Sequence, residues 1–388
     1  MPIAEHSLRV LSRTDPSLWD VLDVLDLDGT IWALTASAPF VHGFGPRGEL
    51  TAGFGGSGEG PGEFRFPYAL WPGEPDGALT VWDRGGFAAL TFSSSGNLLS
   101  SLESPVLGAI RADIATVTFG SPFRAVRVPA GIVATRYDAG VNHPNDLWNG
   151  GLLLVPDDGG GPRELINFGL ELPGALMRST AALLVPVPLW DGCPDGRIAV
   201  LDPIARILFL LDSAADRPDE REATALPWRS PGLDSSDRVA YMIARIRAEI
   251  GDADLTEPEI LSAARKAADN AETAFAREAP IGVDLKCAPS MVWIQEFDRV
   301  AHPLGYGPSW RTVSFDRGPV TFSRVVFPPG FAPHRISESS ALGVVGDPEG
   351  YQRVTAVALP SFSRQGAPPD TPSLPTYPIG AENQGEPR

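Results

Sequence analysis

Apolar and polar positions along this chain change places in short runs, strand length rather than helix length over most of its course. Asp76-Gly77-Ala78-Leu79-Thr80-Val81-Trp82-Asp83 reads as a tight turn, a short strand and an Asp that closes it. A second strand at 90–92, a turn at Gly96 and a third strand at 98–102 follow. The same phrase opens earlier as Asp28-Gly29-Thr30-Ile31-Trp32-Ala33-Leu34, and later as Asp195-Gly196-Arg197-Ile198-Ala199-Val200-Leu201-Asp202. Laid end to end, the strands form six units, whose opening strands start roughly fifty residues apart except where insertions intervene.

A repeat of that length built from short strands predicts an all-β fold, a six-bladed β-propeller. The sixth unit shows three strands, and residues 8–11 belong to no unit. A ring of sheets must close to remove its exposed edges, so residues 8–11 are expected to supply the missing strand of the last blade. One segment breaks the pattern. Val239, Met242, Ile243, Ile246 and Ile250 recur at three and four residues, and Thr256 with Glu259 forms a capping pair. The spacing predicts an α-helical hairpin inserted over about 236–278. Residues 1–362 are therefore expected to form one propeller domain. Residues 363–388, rich in Pro and Gly, are expected to form an extended or disordered tail.

The stretch Phe54-Gly55-Gly56-Ser57-Gly58-Glu59-Gly60-Pro61-Gly62-Glu63-Phe64-Arg65-Phe66-Pro67 resembles the G-x-G-x-G-P-G-E-F-x-x-P inter-blade segment of six-bladed propellers of the NHL-repeat-like class. The match covers residues 40–105. Elsewhere the likeness rests on strand rhythm. That class holds binding platforms, sensor domains and a few lyases and lactonases, so the resemblance implies fold more than activity.

Charge and cysteine content narrow the function. The net charge of −17 opposes binding to phosphate backbones, so no nucleic-acid partner is expected. No run approaches the length of a membrane-spanning helix, and no basic-then-apolar leader opens the sequence. The sequence as it stands reads as cytoplasmic, with a periplasmic or other extracytoplasmic setting as the alternative if a leader has been removed. Cys193 and Cys287 fall in different units without C-x-x-C spacing, which leaves a structural zinc site unsupported. They read as two buried thiols, with a disulfide left open.

The glycine run from Gly55 to Gly62 lacks the Lys-Ser/Thr ending of a phosphate loop and reads as a tight crossover. Asp23, Asp26 and Asp28 read as turn-capping carboxylates, because the spacing of a calcium loop is absent. Lactonases and lyases of this fold gather carboxylates or histidines around the central channel. The residues here that could converge on one channel face are Arg136, Asp138, Asn142, His143, Asp146, Arg299, His302 and Tyr306. They match no lyase or lactonase ligand set, so no cofactor, catalytic residue or metal site is assigned. The reading that remains is a non-catalytic propeller that binds a protein partner, an accessory subunit of a larger assembly, with membrane association of that assembly left open. A metal-dependent hydrolase or lyase and a small-ligand sensor are the alternatives.

Overall fold

The computed structural model describes residues 8–10, 18–86, 88–103, 125–138, 147–157, 160–171, 181–183, 188–203, 205–215, 221–230, 232–250, 255–269, 273–275, 278–298, 306–315, 320–347 and 350–359. The chain is a six-bladed β-propeller. Each blade is a four-stranded antiparallel sheet whose strands follow one another outward from the ring axis. Blade 1 comprises Val21–Leu27, Thr30–Thr35, Val41–Phe44 and Leu50–Phe54. Blade 2 comprises Pro67–Pro72, Leu79–Asp83, Ala88–Phe92 and Leu98–Glu103. Blade 3 holds Ala125–Val128, Gly131–Asp138, Leu147–Pro156 and Arg163–Glu171; blade 4 holds Leu189–Gly192, Arg197–Asp202, Ile207–Asp212 and Arg221–Ala225. Blade 5 holds Asp284–Ala288, Met291–Phe297, Tyr306–Ser314 and Thr321–Val326. Blade 6 holds Phe331–Ile336, Ser340–Gly346 and Gln352–Ala358, and its outer strand is Leu8–Val10, paired antiparallel with Leu8 opposite Val357.

The inner strand of every blade touches the inner strands of both neighbours, so the ring is closed. Alternating strand direction fixes which turns share a face. The inter-blade crossovers and the turns between second and third strands lie on one face. The turns between first and second strands lie on the other. The recurrent Asp-Gly pairs occupy these first turns in blades 1, 2 and 4. Gly29, Gly77 and Gly196 have φ of 79°, 78° and 90°, a region that a side chain disfavours.

Period-2 alternation buries one side chain of each pair on either side of a blade. The apolar core is therefore distributed over the seams between blades. Leu70, Leu79 and Phe92 of blade 2 pack with Trp32, Leu34 and Val41 of blade 1, and an equivalent cluster occupies each of the other seams. Trp32, Trp71, Trp82, Trp190, Trp228, Trp293 and Trp310 are all buried, as wide rings suit the wedge between two twisted sheets.

Helices Ser235–Ile250 and Glu257–Asp269 lie between blades 4 and 5 and pack on one another. Asp234 Oδ1 caps the first by accepting the amides of Ser236 and Asp237 at 2.8 and 3.0 Å. Glu259 Oε2 accepts the Thr256 amide at 2.8 Å at the start of the second. Thr273–Phe275 then pairs in parallel with Ala181–Leu183, which lies in the crossover from blade 3 to blade 4. The insertion is thus stitched to the crossover side of the ring. No helix among the described residues is long and apolar enough to cross a membrane.

One sequence expectation is corrected here. Cys193 and Cys287 are buried, but they are not thiols: a disulfide joins them, with their Cα atoms 4.8 Å apart. Their separation of 94 residues hides the pairing in the sequence. The ring sets blades 4 and 5 side by side and so brings them together.

Candidate functional site: the central channel

The six inner strands enclose a channel cavity of about 1430 Å³. Its wall is not built uniformly. In blades 6, 1 and 2 the register of the inner strand slips against the second strand, at His334, Leu22 and Tyr68 respectively. Each slip is a β-bulge, which bends a strand and re-aims the side chains that follow. All three bulged residues line the cavity. The inner strands of blades 3, 4 and 5 pair without interruption.

Asp23 follows the Leu22 bulge. Its Oδ1 accepts the amide of Val24, and its Oδ2 accepts the amide of Leu70 on blade 2, both at 2.9 Å. Oδ2 also receives Arg335 Nη2 from blade 6 at 2.5 Å, and Arg335 donates as well to the carbonyl of Leu70 at 2.6 Å. Asp191 of blade 4 repeats the first part of this pattern. Its Oδ1 accepts the amide of Gly192 at 3.0 Å, and its Oδ2 accepts the amide of Cys287 on blade 5 at 2.9 Å. Asp284 accepts the Leu285 amide at 2.8 Å and pairs with Lys286 at 2.9 Å.

His334 Nδ1 stands 3.9 Å from Asp23 Oδ1. Burial lowers the pKa of its imidazole to about 4; Asp23 opposes this, while Lys286 and Arg335 add to it. At neutral pH the ring is uncharged. Asp23 and Asp191 are thus engaged in holding neighbouring blades, and the imidazole beside Asp23 is kept neutral. Among the described residues, no group of three or more His, Cys, Asp or Glu is arranged to hold a metal ion.

The cavity reaches the first-turn face, where Asp26, Gly29, Glu74 and Ser337 line it. Of the candidates drawn from the sequence, Arg136, Asp138 and Tyr306 belong to the opposite face. Arg136 and Asp138 lie at the end of the second strand of blade 3, and Tyr306 opens the third strand of blade 5, paired with Phe297. Asn142, His143, Asp146, Arg299 and His302 lie outside the described residues. Sequence reasoning passed over His334 and Arg335, and grouped Asp23 with the turn caps. Asp26 does cap its turn, accepting the Gly29 amide at 3.2 Å. Asp23 instead reaches across to the next blade. The signal was an Asp early in the inner strand of three units, in Leu22-Asp23-Val24, Trp190-Asp191-Gly192 and Val283-Asp284-Leu285.

The crossover face is built differently. Asp83, which closes the second strand of blade 2, is buried and accepts the amides of Arg65 and Phe66 at 3.0 and 2.8 Å. These bonds pin the crossover that the glycine run begins. Gly55 there has φ of 86°, and a side chain on it would run into the Phe64 ring. The Phe66 side chain projects from this pinned backbone and is 71% exposed. At the start of blade 1, Trp19 is 45% exposed and packs on Tyr351 of the blade 6 turn, with ring centroids 4.6 Å apart.

No family model matches the chain, and no curated protein matches it. Solved structures resemble it over most of its length at low identity. A "putative exported protein" of Bacteroides fragilis is 8% identical over 92% of this chain and 96% of its own, with a TM-score of 0.49. A catalytically inactive virginiamycin B lyase from Staphylococcus aureus with quinupristin is 10% identical over 91% of this chain and 99% of its own, with a TM-score of 0.44. A calcium-binding protein, regucalcin, from Agrobacterium tumefaciens is 13% identical over 92% and 94%, with a TM-score of 0.41.

Proposed function

We propose that this chain is a non-catalytic propeller that binds a protein partner through its crossover face, as an accessory subunit of a larger assembly. One observation carries the reading. The two most exposed aromatic side chains among the described residues, Phe66 and Trp19, stand at the crossover ends of neighbouring blades. Large aromatics contribute much of the energy of protein interfaces when buried. The Phe66 backbone is already fixed by Asp83, so little ordering entropy is lost when its ring is covered. The engagement of Asp23 and Asp191 in blade-to-blade bonds agrees with a scaffold rather than a catalytic pocket. The net charge of −17 favours a basic partner and an association that weakens with salt.

The test is affinity isolation from native extract with the full chain and with a Phe66→Ser, Trp19→Ser double variant. Because Trp19 also packs on Tyr351, the variant is first checked for a β-sheet circular dichroism signal equal to the parent's. A polypeptide recovered in fixed ratio with the parent at low salt should fall roughly tenfold or more with the variant, about 1.4 kcal/mol or greater. Equal recovery by both chains overturns the reading.

A further inference from the structure

The seam between blades 4 and 5 differs from the others in how the chain crosses it. From blade 5 to blade 6 the link is residues 327–330. From blade 4 to blade 5 it runs from Ala225 to Asp284 and contains both helices. A long link holds its ends together less firmly than a short one. At this seam two other devices join the blades at adjacent positions. Asp191 accepts the amide of Cys287, and Cys287 is bonded through sulfur to Cys193 in the first turn of blade 4. The two cysteines lie in the apolar cluster that fills this seam, with Leu201 and Leu208 of blade 4 and Leu285 and Val292 of blade 5. They are 4% and 8% exposed and border the channel cavity, so the sulfurs are shielded from bulk solvent. The sequence has only these two cysteines, so the bonded chain has no spare thiol for exchange.

We infer that the Cys193–Cys287 disulfide is a redox latch on the blade 4–blade 5 seam, and that the mature chain works in an oxidising, extracytoplasmic compartment. Closing the latch takes two electrons and two protons from the two thiols. The acceptor is another disulfide, either of a protein oxidant or of oxidised glutathione, which leaves as two thiols. A dithiol reverses the step. Bonds of this kind persist outside reducing cytosol. The closed loop of 94 residues is long, and the entropy a crosslink removes from the unfolded chain grows with loop length.

The experiment uses the full chain isolated from its native source, with free thiols alkylated at lysis. Titration of the denatured protein should find no unblocked or alkylated thiol, and two after reduction. Two alkylated cysteines in the native material overturn the assignment of compartment. For the latch, reduction verified by mass should lower the melting temperature by about 7 °C, from the loop entropy spread over a domain of this size. A Cys193→Ser, Cys287→Ser variant should melt at the lowered temperature and ignore reductant. Should the variant not fold, hydrogen exchange on the reduced parent still decides. Exchange should rise along Leu285–Ala288 and stay unchanged along Pro67–Pro72. An unmoved melting curve, or an equal rise in both strands, overturns the latch.

Discussion

Blades 1 and 2, and blades 4 and 5, are joined at the channel by the same device and reinforced by different ones. At both seams an aspartate on an inner strand accepts its own following amide and an amide of the next blade: Asp23 takes Leu70, and Asp191 takes Cys287. At the first seam the reinforcement is ionic. Arg335 of blade 6 reaches Asp23 and the Leu70 carbonyl, so one carboxylate and one guanidinium tie three blades. At the second it is covalent and ties two. The backbone follows the difference. Asp23 and Arg335 each come directly after a bulged residue, Leu22 and His334, whereas Asp191 and Cys287 sit in uninterrupted ladders. A guanidinium has to be turned toward its carboxylate, and bulges supply that turn. A disulfide needs only two β-carbons close together, which adjacent blades already provide.

This comparison can be broken experimentally. The largest effect is expected at Asp23. Asp23→Ala strands the Arg335 guanidinium and the Leu70 amide. Because Arg335 is 37% exposed, water screens part of the loss, and about 3 kcal/mol of stability should go, read by denaturant unfolding. A cost no greater than that of Asp191→Ala in the oxidised protein would mean that the ionic arm adds nothing.

His334 sharpens the same seam through pH. Its pKa of about 4 lies below the 6.5 of a free histidine, so between those values the unfolded chain binds the extra proton. The histidine's contribution is fully present above pH 6.5. It is lost as pH falls toward 4 and changes no further below that. The loss is about 3 kcal/mol. Asp23, Asp284, Lys286 and Arg335 face the ring, and none of these is removed by His334→Gln. Stability measured from pH 7 to 4 should be flatter in that variant than in the parent. Equal slopes would place the acid sensitivity elsewhere.

The smallest effect is expected from Asp191→Ala in the oxidised protein. It frees two amides while the disulfide keeps the blades together, at about 1–2 kcal/mol. The informative quantity is the coupling. Reduction should enlarge the cost of Asp191→Ala, because both devices hold one seam. Reduction should add simply to the cost of Asp23→Ala, because the two sites share no partner. Equal coupling at both sites would make the ring a single cooperative unit with no separable latch.

The sequence by itself determined whatever depends on neighbours a few residues apart. Asp-Gly turns, period-2 strands and helical spacing in the insertion are local choices of backbone conformation, and Gly29, Gly77 and Gly196 adopt the conformation that such turns require. The order of elements then led to the propeller, because strands that cannot bury both faces alone must stack. Asp26 was legible as a turn cap for the same reason: its partner, Gly29, is three residues away. Asp23 was not, since its partners are Leu70 and Arg335 on other blades. The disulfide was hidden because residues 94 positions apart meet only once the ring sets their blades side by side. The neutral state of His334 was hidden because it depends on burial and on charges from blades 1 and 5. Only the tertiary structure decided these, because electrostatics, desolvation and sulfur chemistry act through distance in space, and closing the ring is what creates those distances.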